Sequence, residues 1–300
     1  IEEKVDGANS GVSFDSDANL QLQCRGHYLV GGPSPTEQQF NQFRRWGRTH
    51  QDALFDVLGD QYLLFGEWLY AKHSIYYDAL PHYFMEYDVW DRASEKFLST
   101  KARGKLLAGL PLVSVPVLFT GEITAVSEVK ALIRPTLYKS AQWRDNLKAT
   151  AERLGMDPVA VMDGTDPEDL AEGVYLKDET DDFTVDHYKF IRQSFVTRLV
   201  DRNRHWADQS IVPNGLAPGV DIFISGGIMS TFDDILAQLY LDGYSFQDRE
   251  LIAGLVRWHQ VPFHAMGDPS GVFRARLAAE TCSHQLLASL AEADATGRVC

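Results

Sequence analysis

The sequence predicts an α+β fold in which antiparallel sheets form the core and helices flank them. Short runs rich in β-branched and aromatic residues predict strands, and helical patterns interrupt these runs at irregular intervals. A doubly wound parallel sheet would need regular units of strand, helix and strand. Beyond residue 220 the apolar spacing is helical, so the chain of 300 residues is expected to form a mixed body followed by a small α-helical domain.

The first third of the chain predicts four strands and one helix. The strand signals are short alternating or apolar runs at residues 11–14, 20–24, 62–68 and 83–89. Residues 36–58 carry apolar side chains at helical spacing, and the pattern Pro35-Thr36-x-x-Gln39 at their start resembles a helix start. This segment is therefore expected to be helical.

The middle of the chain predicts helices and then two further strands. Residues 121–154 show a helical pattern. Asp166, Pro167 and the acidic residues that follow predict a helix start, with an N-cap, a first-turn proline and negative charge near the N-terminus. Residues 172–177 and 183–191 have the composition of strands.

A domain boundary is predicted within residues 205–220, which hold a dense group of prolines and glycines. We accordingly divide the chain into an N-terminal domain of residues 1–215 and a helical C-terminal domain of residues 216–300. Helical spacing in the second domain occurs at residues 232–241, 248–259 and 274–295.

Composition and charge disfavour several classes of protein. Hydrophobic residues make up 45% and charged residues 23% of the chain, as in ordinary folded domains. No uncharged apolar run reaches membrane-spanning length, and the acidic start lacks the apolar stretch of a signal peptide, so membrane insertion and secretion are disfavoured. The net charge of −14 argues against phosphate binding over the whole surface, although a local basic groove can still attract a polyanion.

The three cysteines indicate a reducing compartment. Cys24, Cys282 and Cys300 are odd in number, far apart and form no CxxC pair. Neither a disulfide framework nor a cysteine zinc site is therefore expected, and the cytoplasm is the simplest location.

The most informative segment is KVDGAN at residues 4–9. A lysine near the end of an expected strand, followed by an acidic residue and a glycine, suits a nucleophile whose neighbouring backbone must approach a phosphate closely. A surface turn is the alternative, because Val-Asp-Gly is common in turns. Lys4 and Asp6 are the candidate site residues of this segment.

Five further motifs follow in order. They are QCRG at residues 23–26, FGEW at 65–68, FMEYD at 84–88, EGVYLK at 172–177 and YKFIR at 188–192. With KVDGAN, this series resembles the covalent nucleotidyltransferase superfamily of ATP-dependent ligases and capping enzymes, and specifically its RNA ligase branch. Residues 66–91 look particularly like bacterial members. The resemblance covers about residues 1–215 and implies a nucleotidyltransferase core of the ATP-grasp-like ligase kind.

The resemblance implies a role for each matching residue. Lys4 would attack the α-phosphorus of ATP, Lys189 would contact the α-phosphate, and Glu172 would hold a catalytic Mg²⁺ or Mn²⁺ through water. Glu67 would accept hydrogen bonds from the ribose, and Tyr87 would stack on the adenine. The other matching residues are Glu3 at the adenine edge, Asn9 and Arg25 around the ribose and phosphates, and Asp6, Asp88, Lys177 and Arg192.

The implied chemistry requires a neutral Lys4 amine. An ordinary lysine is almost wholly protonated at neutral pH, so a nearby cation must lower its pKa, and Lys189 and Mg²⁺ are the candidates. Family members commonly carry two lysines one residue apart in the last motif, whereas residues 187–192 read HYKFIR here. His187 or Arg192 would then supply the second cation.

The C-terminal part favours an RNA ligase over its relatives. DNA ligases and capping guanylyltransferases of the superfamily carry a β-rich OB domain with an Arg-x-Asp-Lys motif, whereas residues 221–300 have helical spacing and lack that motif. Candidate RNA contacts are Lys101, Arg103 and Lys105, or Arg198, Arg202 and Arg204 with Trp206 for stacking.

We therefore expect an ATP-dependent RNA ligase that joins 5′-phosphate and 3′-hydroxyl RNA ends through a lysyl-AMP intermediate, in RNA repair. A kinase or phosphatase that prepares such ends is a candidate partner. The enzymatic alternatives are a DNA ligase or a capping-type nucleotidyltransferase, which nucleotide preference would separate. The other alternative is a noncatalytic RNA-binding module that retains the nucleotide pocket and takes no label from ATP.

Overall fold

Two β-sheets form the frame of this computed structural model, which describes residues 1–29, 35–201 and 210–223. In chain order the strands are β1 (Glu2–Lys4), β2 (Ala8–Phe14), β3 (Leu20–Cys24), β4 (His27–Tyr28), β5 (Tyr62–Trp68), β6 (Phe84–Asp91), β7 (Lys96–Phe97), β8 (Val113–Ser114), β9 (Gly173–Glu179) and β10 (Thr184–Ile191). All six predicted strands are present. The α+β fold with antiparallel sheets is thus confirmed for this part of the chain.

The two sheets are joined at the KVDGAN segment. The larger sheet has the order β4-β3-β2-β5-β6-β7, with antiparallel neighbours, and β8 pairs with β6 in parallel. The smaller sheet has the order β1-β9-β10 and is antiparallel. Residues 5–7 carry the chain from β1 to β2. Lys4 therefore lies at the end of the smaller sheet, where the chain crosses to the larger one.

Helices flank the sheets. They are a 3-10 helix (Pro35–Phe40) and α1 (Asn41–Thr49), α2 (Gln51–Leu58), α3 (Thr100–Leu106), α4 (Val126–Ala131), α5 (Trp143–Arg153), α6 (Pro158–Asp163) and α7 (Gln193–Asp201). The helical prediction for residues 36–58 is confirmed in three successive segments, whereas residues 121–154 are helical only in α4 and α5. None of the described helices has the length and hydropathy needed to cross a membrane.

Helix α1 packs on the larger sheet through aromatic side chains. Phe43 and Trp46 are fully buried, and the Phe43 ring centroid lies 5.0 Å from that of Trp68 on β5 and 5.3 Å from that of Phe84 on β6. Burying large rings contributes strongly to stability because of their apolar area. This packing covers one face of the sheet with the helix.

One predicted helix start is wrong. The residues immediately after Asp166 are not helical. The helix in this region, α6, begins at Pro158, and the Asp157 carboxylate caps it by accepting a hydrogen bond from the Val159 N–H at 2.9 Å. Asp166 is buried, and its carboxylate accepts a hydrogen bond from Arg192 instead. An ion pair with a residue distant in sequence has replaced the cap that the local pattern favours.

Residues 210–223 pack against the sheet body. Asn214 is buried, and its side chain accepts a hydrogen bond from the Tyr77 N–H at 2.9 Å and donates one to the Leu69 carbonyl at 2.7 Å. The division into domains 1–215 and 216–300 stays a prediction. Outside the described residues lie the helices predicted at 232–241, 248–259 and 274–295, the side chain of Arg198, and Arg202, Arg204 and Trp206.

Candidate active site

A cavity of about 630 Å³ is lined by residues of both sheets. Its volume is within the range of small-molecule pockets. The lining includes eight of the residues that the motifs single out, namely Glu3, Lys4, Asn9, Arg25, Glu67, Tyr87, Asp88 and Lys189. Arg25 is exposed in the turn between β3 and β4. With Tyr175 of EGVYLK, which also lines it, the cavity gathers residues from all six motifs.

Lys4 forms an ion pair with Glu172 at the edge of this cavity. The Lys4 Nζ lies 2.7 Å from the Glu172 Oε2, and the two side chains are 22% and 7% exposed. Burial favours the neutral amine, but the charges of Glu172 and Glu67 outweigh it, so the pKa of Lys4 is raised above its ordinary value. Without nucleotide and metal, Lys4 is thus held as an ammonium.

Asp6 holds the loop that follows the lysine. Its Oδ2 accepts hydrogen bonds from the Ser74 and Ile75 N–H groups, each at 2.7 Å. The Asp6 N–H donates to the Tyr77 hydroxyl at 2.9 Å. Asp6 does not line the cavity. Its contacts therefore make it a residue that positions Lys4.

Gly7 lets the same loop approach β5 closely. A Cβ at this position would lie 2.7 Å from the Trp68 carbonyl oxygen, a distance that no side chain tolerates. The Gly7 N–H donates to the Glu67 Oε1 at 3.1 Å. Burial raises the pKa of the Glu67 carboxyl to about 8, with Lys4 opposing the shift. Glycine is thus needed here because the loop is packed directly onto the strand that carries Glu67.

Asn9, Glu67 and Tyr87 form one polar group on the larger sheet. Asn9 and Glu67 are cross-strand partners on β2 and β5. The Asn9 Nδ2 donates a hydrogen bond to the Tyr87 hydroxyl. The Tyr87 ring packs edge to face with Tyr175, with centroids 6.1 Å apart. Sheet register therefore places the residues matched to ribose and adenine side by side.

Glu3 presents a buried carboxyl at the cavity. It is 5% exposed, and its Oε1 has no hydrogen-bond partner within the described ranges. Burial raises the pKa of Glu3 to about 7, opposed by a hydrogen bond with Thr136. An unpaired buried oxygen is costly, and a ligand that donates a hydrogen bond would remove that cost.

Of the three candidate cations in and beside the last motif, two lie at the cavity and the third lies away from it. His187 and Lys189 lie on one face of β10 and line the cavity. Arg192 lies beyond the cavity lining, where its guanidinium pairs with Asp166 and, at 2.9 Å, with Glu168. Of the two candidate partners for Lys189, only His187 is at the cavity wall.

Lys177 and Asp88 belong to a buried cluster of charges next to the cavity, and Asp88 also lines it. The Lys177 Nζ lies 2.9 Å from both the Asp88 Oδ1 and the Glu2 Oε2. Arg103 contributes two further ion pairs, at 2.6 Å to the Glu2 Oε1 and at 3.2 Å to the Glu86 Oε2. We call Glu2, Glu86, Asp88, Arg103 and Lys177 the buried charge cluster. Lys177 therefore acts next to the cavity and does not line it.

The assignment of Arg103 as an RNA contact is wrong. Its side chain is 2% exposed, because it fills the space between Glu2 and Glu86. Sequence reasoning missed this pairing, since the TKARGKL segment of α3 has the composition of a solvated basic helix.

The donor set suits a magnesium-type cation held with few protein ligands. In the parts of the chain that the structure describes, no cluster of three or more His, Cys, Asp or Glu side chains could hold a metal by itself. Mg²⁺ is usually bound by one or two carboxylates together with phosphates and water. The buried Glu172 carboxylate beside Lys4 fits that requirement.

A two-sheet antiparallel body with a cavity beside a lysine at the sheet junction is typical of the nucleotidyltransferase class. The model of one family, described as RNA ligase, matches residues 1–191. The chain therefore belongs to the RNA ligase family, and the predicted family is confirmed.

Solved structures of one relative are similar to the chain. Mutants of the Naegleria gruberi RNA ligase with ATP and Mn match at 16% identity, over 67% of this chain and 51% of that chain, with TM-scores of 0.44 and 0.45. The same ligase with PPi matches at 15% identity over the same shares, with a TM-score of 0.40. The chain thus spans about half the length of these structures. None of the curated proteins compared with the chain matches it.

Proposed function

We propose that the protein is an ATP-dependent RNA ligase whose nucleophile is Lys4. The observation that carries the proposal is the position of Lys4, at the wall of a cavity that also holds Glu67, Tyr87 and Lys189 and in contact with the buried carboxylate of Glu172. A lysine amine surrounded by groups that can bind a nucleotide can form a phosphoramidate. Membership in the RNA ligase family supports this chemistry.

The proposed reaction has three group transfers. The Lys4 Nζ loses a proton and attacks the α-phosphorus of ATP, so that a P–N bond forms, the bond to the β-phosphate oxygen breaks and pyrophosphate leaves. An oxygen of an RNA 5′-phosphate then attacks the same phosphorus, the P–N bond breaks, and the Lys4 amine takes up a proton. A 3′-hydroxyl loses its proton and attacks the 5′-phosphorus, which forms the phosphodiester and releases AMP.

Residues in and beside the cavity have different roles in this reaction. Glu172 would hold Mg²⁺ or Mn²⁺, which would supply charge neutralisation at the phosphates. Lys189, exposed at the wall, would bind the α-phosphate and stabilise the charge that develops on it. Burial of Lys4 favours the neutral amine once the surrounding carboxylate charges are neutralised.

Adenosine recognition falls to residues of the larger sheet and β1. Glu3 offers an unpaired buried carboxyl oxygen, which suits a donor group on the adenine edge. Tyr87 would stack on the base, and Glu67 would bind the ribose. Asn9 and Arg25 would complete the contacts to the ribose and phosphates, with Asp88 supporting the strand of Tyr87.

The proposed substrates are RNA ends with a 5′-phosphate and a 3′-hydroxyl. We assign the enzyme to RNA repair in the cytoplasm, where a kinase or phosphatase would prepare the ends. The spacing of the three cysteines supports a reducing compartment.

Label transfer from ATP tests the proposal. The protein is incubated with Mg²⁺ and ATP labelled at the α-phosphate, beside Lys4→Ala and the control Lys101→Ala, an exposed lysine that pairs with Asp181. We expect the native protein and the control to take up label, Lys4→Ala to take up none, and EDTA to abolish labelling. The label should chase onto 5′-phosphorylated RNA in preference to DNA.

Two results would contradict the assignment. Absence of label, with intact mass showing that Lys4 is not already adenylylated, would remove the nucleophile and favour a noncatalytic RNA-binding module. Labelling by GTP in preference to ATP would favour a capping-type enzyme.

A further inference from the structure

Among the aromatic side chains that line the cavity, five lie next to one another, and the proposed chemistry uses one of these five. They are Phe65, Tyr87, Phe97, Tyr175 and His187. Tyr87 is assigned to the adenine. The other four come from β5, β7, β9 and β10, so strands of both sheets contribute to one surface.

These rings form a continuous series. From Tyr87 the centroid of Tyr175 lies at 6.1 Å, and His187 follows 5.7 Å from Tyr175. The centroid of Phe97 lies 5.9 Å from that of His187, and Phe65 follows 6.1 Å from Phe97. We call Phe65, Phe97, Tyr175 and His187 the aromatic wall. From the adenine-stacking ring it passes through the exposed His187 and ends at Phe65.

The two ends of the β9–β10 hairpin carry opposite charge. Lys189 is exposed on the same face of β10 as His187 and lines the same cavity. At the other end of the hairpin Asp178, Glu179 and Asp182 are exposed. A polyanion is attracted to the lysine end and repelled by the acidic end. Aromatic faces beside a cation are the features with which proteins bind single-stranded nucleic acid.

We propose that the aromatic wall stacks the nucleobase of the 5′-phosphorylated RNA nucleotide, an inference that rests on the proposed function. The 5′-phosphate must reach the adenylate on Lys4 within this cavity, so the base attached to it lies next to the cavity wall. A base inside a duplex is already stacked, whereas an unpaired base has a free face. The wall therefore selects breaks whose 5′ nucleotide is unpaired over nicks in a duplex.

Phe97 is the residue with which to test the wall, because it contacts both His187 and Phe65. Its variants are Phe97→Ala, Phe97→Leu, which keeps bulk without a ring, and Phe97→Trp, which keeps a ring. The matched control is Phe55→Ala, a phenylalanine of α2 that is 37% exposed and packs edge to face with Phe14, away from the cavity lining.

The first measurement follows AMP transfer from adenylylated protein to RNA. We expect Phe97→Ala and Phe97→Leu to slow transfer to single-stranded 5′-phosphorylated RNA roughly tenfold, with no change at a nicked duplex. Phe97→Trp and Phe55→Ala should behave like the native protein. A strand whose 5′ nucleotide lacks its base should be slow with the native protein and no slower with Phe97→Ala.

A second measurement is independent of catalysis. A 5′-phosphorylated RNA with 2-aminopurine as its first base should lose fluorescence on binding the native protein, and this quenching should be absent with Phe97→Ala. Quenching that persists in a protein taking no label from ATP would overturn the ligase proposal and still support the wall.

The inference fails under either of two results. One is equal quenching by the native protein and Phe97→Ala. The other is a Phe97→Ala variant whose defect is a raised KM for ATP in the labelling step, because the wall would then belong to the ATP site.

Discussion

Lys4 and Glu172 are 168 positions apart in the sequence, yet their side chains meet at 2.7 Å. The contact follows from sheet register, because Lys4 on β1 pairs with Gly173 on β9. The carboxylate that the motifs assign to a metal therefore holds Lys4, the proposed nucleophile, as an ammonium. The sequence led us to expect that a nearby cation lowers the pKa of Lys4. The structure gives the reason, because the negative charge of Glu172 has to be neutralised before Lys4 can lose its proton.

The Glu3 carboxyl provides a test of how burial changes the pKa of a single residue. Burial raises the pKa of the Glu3 carboxyl from 4.5 to about 7. Between these two pH values the folded protein therefore binds more protons than the unfolded chain. The free energy of unfolding consequently falls as the pH rises through this range. We expect Glu3→Gln to remove this loss and to be more stable than the native protein by about 1–3 kcal/mol at pH 8, with little difference near pH 4.5. Urea denaturation at the two pH values measures this.

The exposed Glu128→Gln on α4 is the control for the Glu3 variant. It should show no such dependence on pH. A Glu3→Gln stability difference that is the same at both pH values would mean that Glu3 titrates normally in the fold.

At the scale of elements, the hairpin of β9 and β10 explains why a glycine follows Glu172. A Cβ on Gly173 would overlap the Phe190 carbonyl oxygen and lie 2.8 Å from the Ile191 Cα, both backbone atoms that cannot turn aside. The close approach of the two strands sets the position of Glu172 beside Lys4. In the EGVYLK motif, Gly173 is thus required for strand packing, whereas Glu172 is required for the proposed chemistry.

Two glycine variants test this packing. Gly173→Ala should cost about 2 kcal/mol or more, because the strands must separate, and should reduce labelling of Lys4. Gly104→Ala in α3, where a Cβ would meet nothing within 4 Å, should instead stabilise the protein by about 0.5–1 kcal/mol. Thermal denaturation compares the two, and a stable, fully active Gly173→Ala would refute the packing argument.

Residues 210–223 contact the loop of residues 5–7, which follows Lys4, indirectly through the side chain of Asn214. Its side chain bonds the Tyr77 N–H and the Leu69 carbonyl, and the Tyr77 hydroxyl in turn accepts from the Asp6 N–H. A segment beyond the last motif is therefore connected to the loop that follows Lys4.

Replacement of Asn214 tests this connection. Asn214→Ala leaves two buried backbone groups unpaired, so we expect a loss of about 2–4 kcal/mol and slower labelling of Lys4. Asn146→Ala removes an amide whose hydrogen bond to Asp78 is exposed, and it should cost about 1 kcal/mol or less. Denaturation and single-turnover labelling with ATP would show whether the two variants differ; equal effects would contradict the connection.

At the scale of the whole described body, the buried charge cluster ties the two sheets together. Glu2 and Lys177 lie in the smaller sheet, Glu86 and Asp88 lie in the larger one, and Arg103 on α3 bonds to both. Burying these ions is costly, and pairing repays the cost only while each partner is present. The cluster therefore couples the integrity of the cavity to the packing of the two sheets.

Arg103→Ala should accordingly destabilise the protein by about 3–5 kcal/mol, since it removes the buried ion pairs with Glu2 and Glu86, of which Glu2 keeps its pair with Lys177. Lys101→Ala, two residues earlier on α3, removes an exposed pair with Asp181 and should cost about 0.5 kcal/mol or less. Chemical denaturation of both variants measures the difference. Similar small losses for the two would mean that the cluster contributes little to stability.

Short-range patterns predicted much of the described fold. The six predicted strands and the helices within residues 35–58 follow from alternation and helical spacing, which depend on neighbouring residues only. The prediction failed at Asp166, where a local capping pattern lost to a buried pair with Arg192. It failed again at Arg103, because composition cannot show that a basic helix turns its arginine inward.

By itself, the sequence determined the family and singled out eight of the residues that line the cavity, because ordered motifs record which side chains a family shares. Tertiary structure alone decided how these residues are used. It turned His187 and Lys189 toward the cavity and Arg192 away from it, placed Lys177 next to the site, and assembled the aromatic wall. Strand register and packing between distant segments set these positions, and neither is written in any local run of residues.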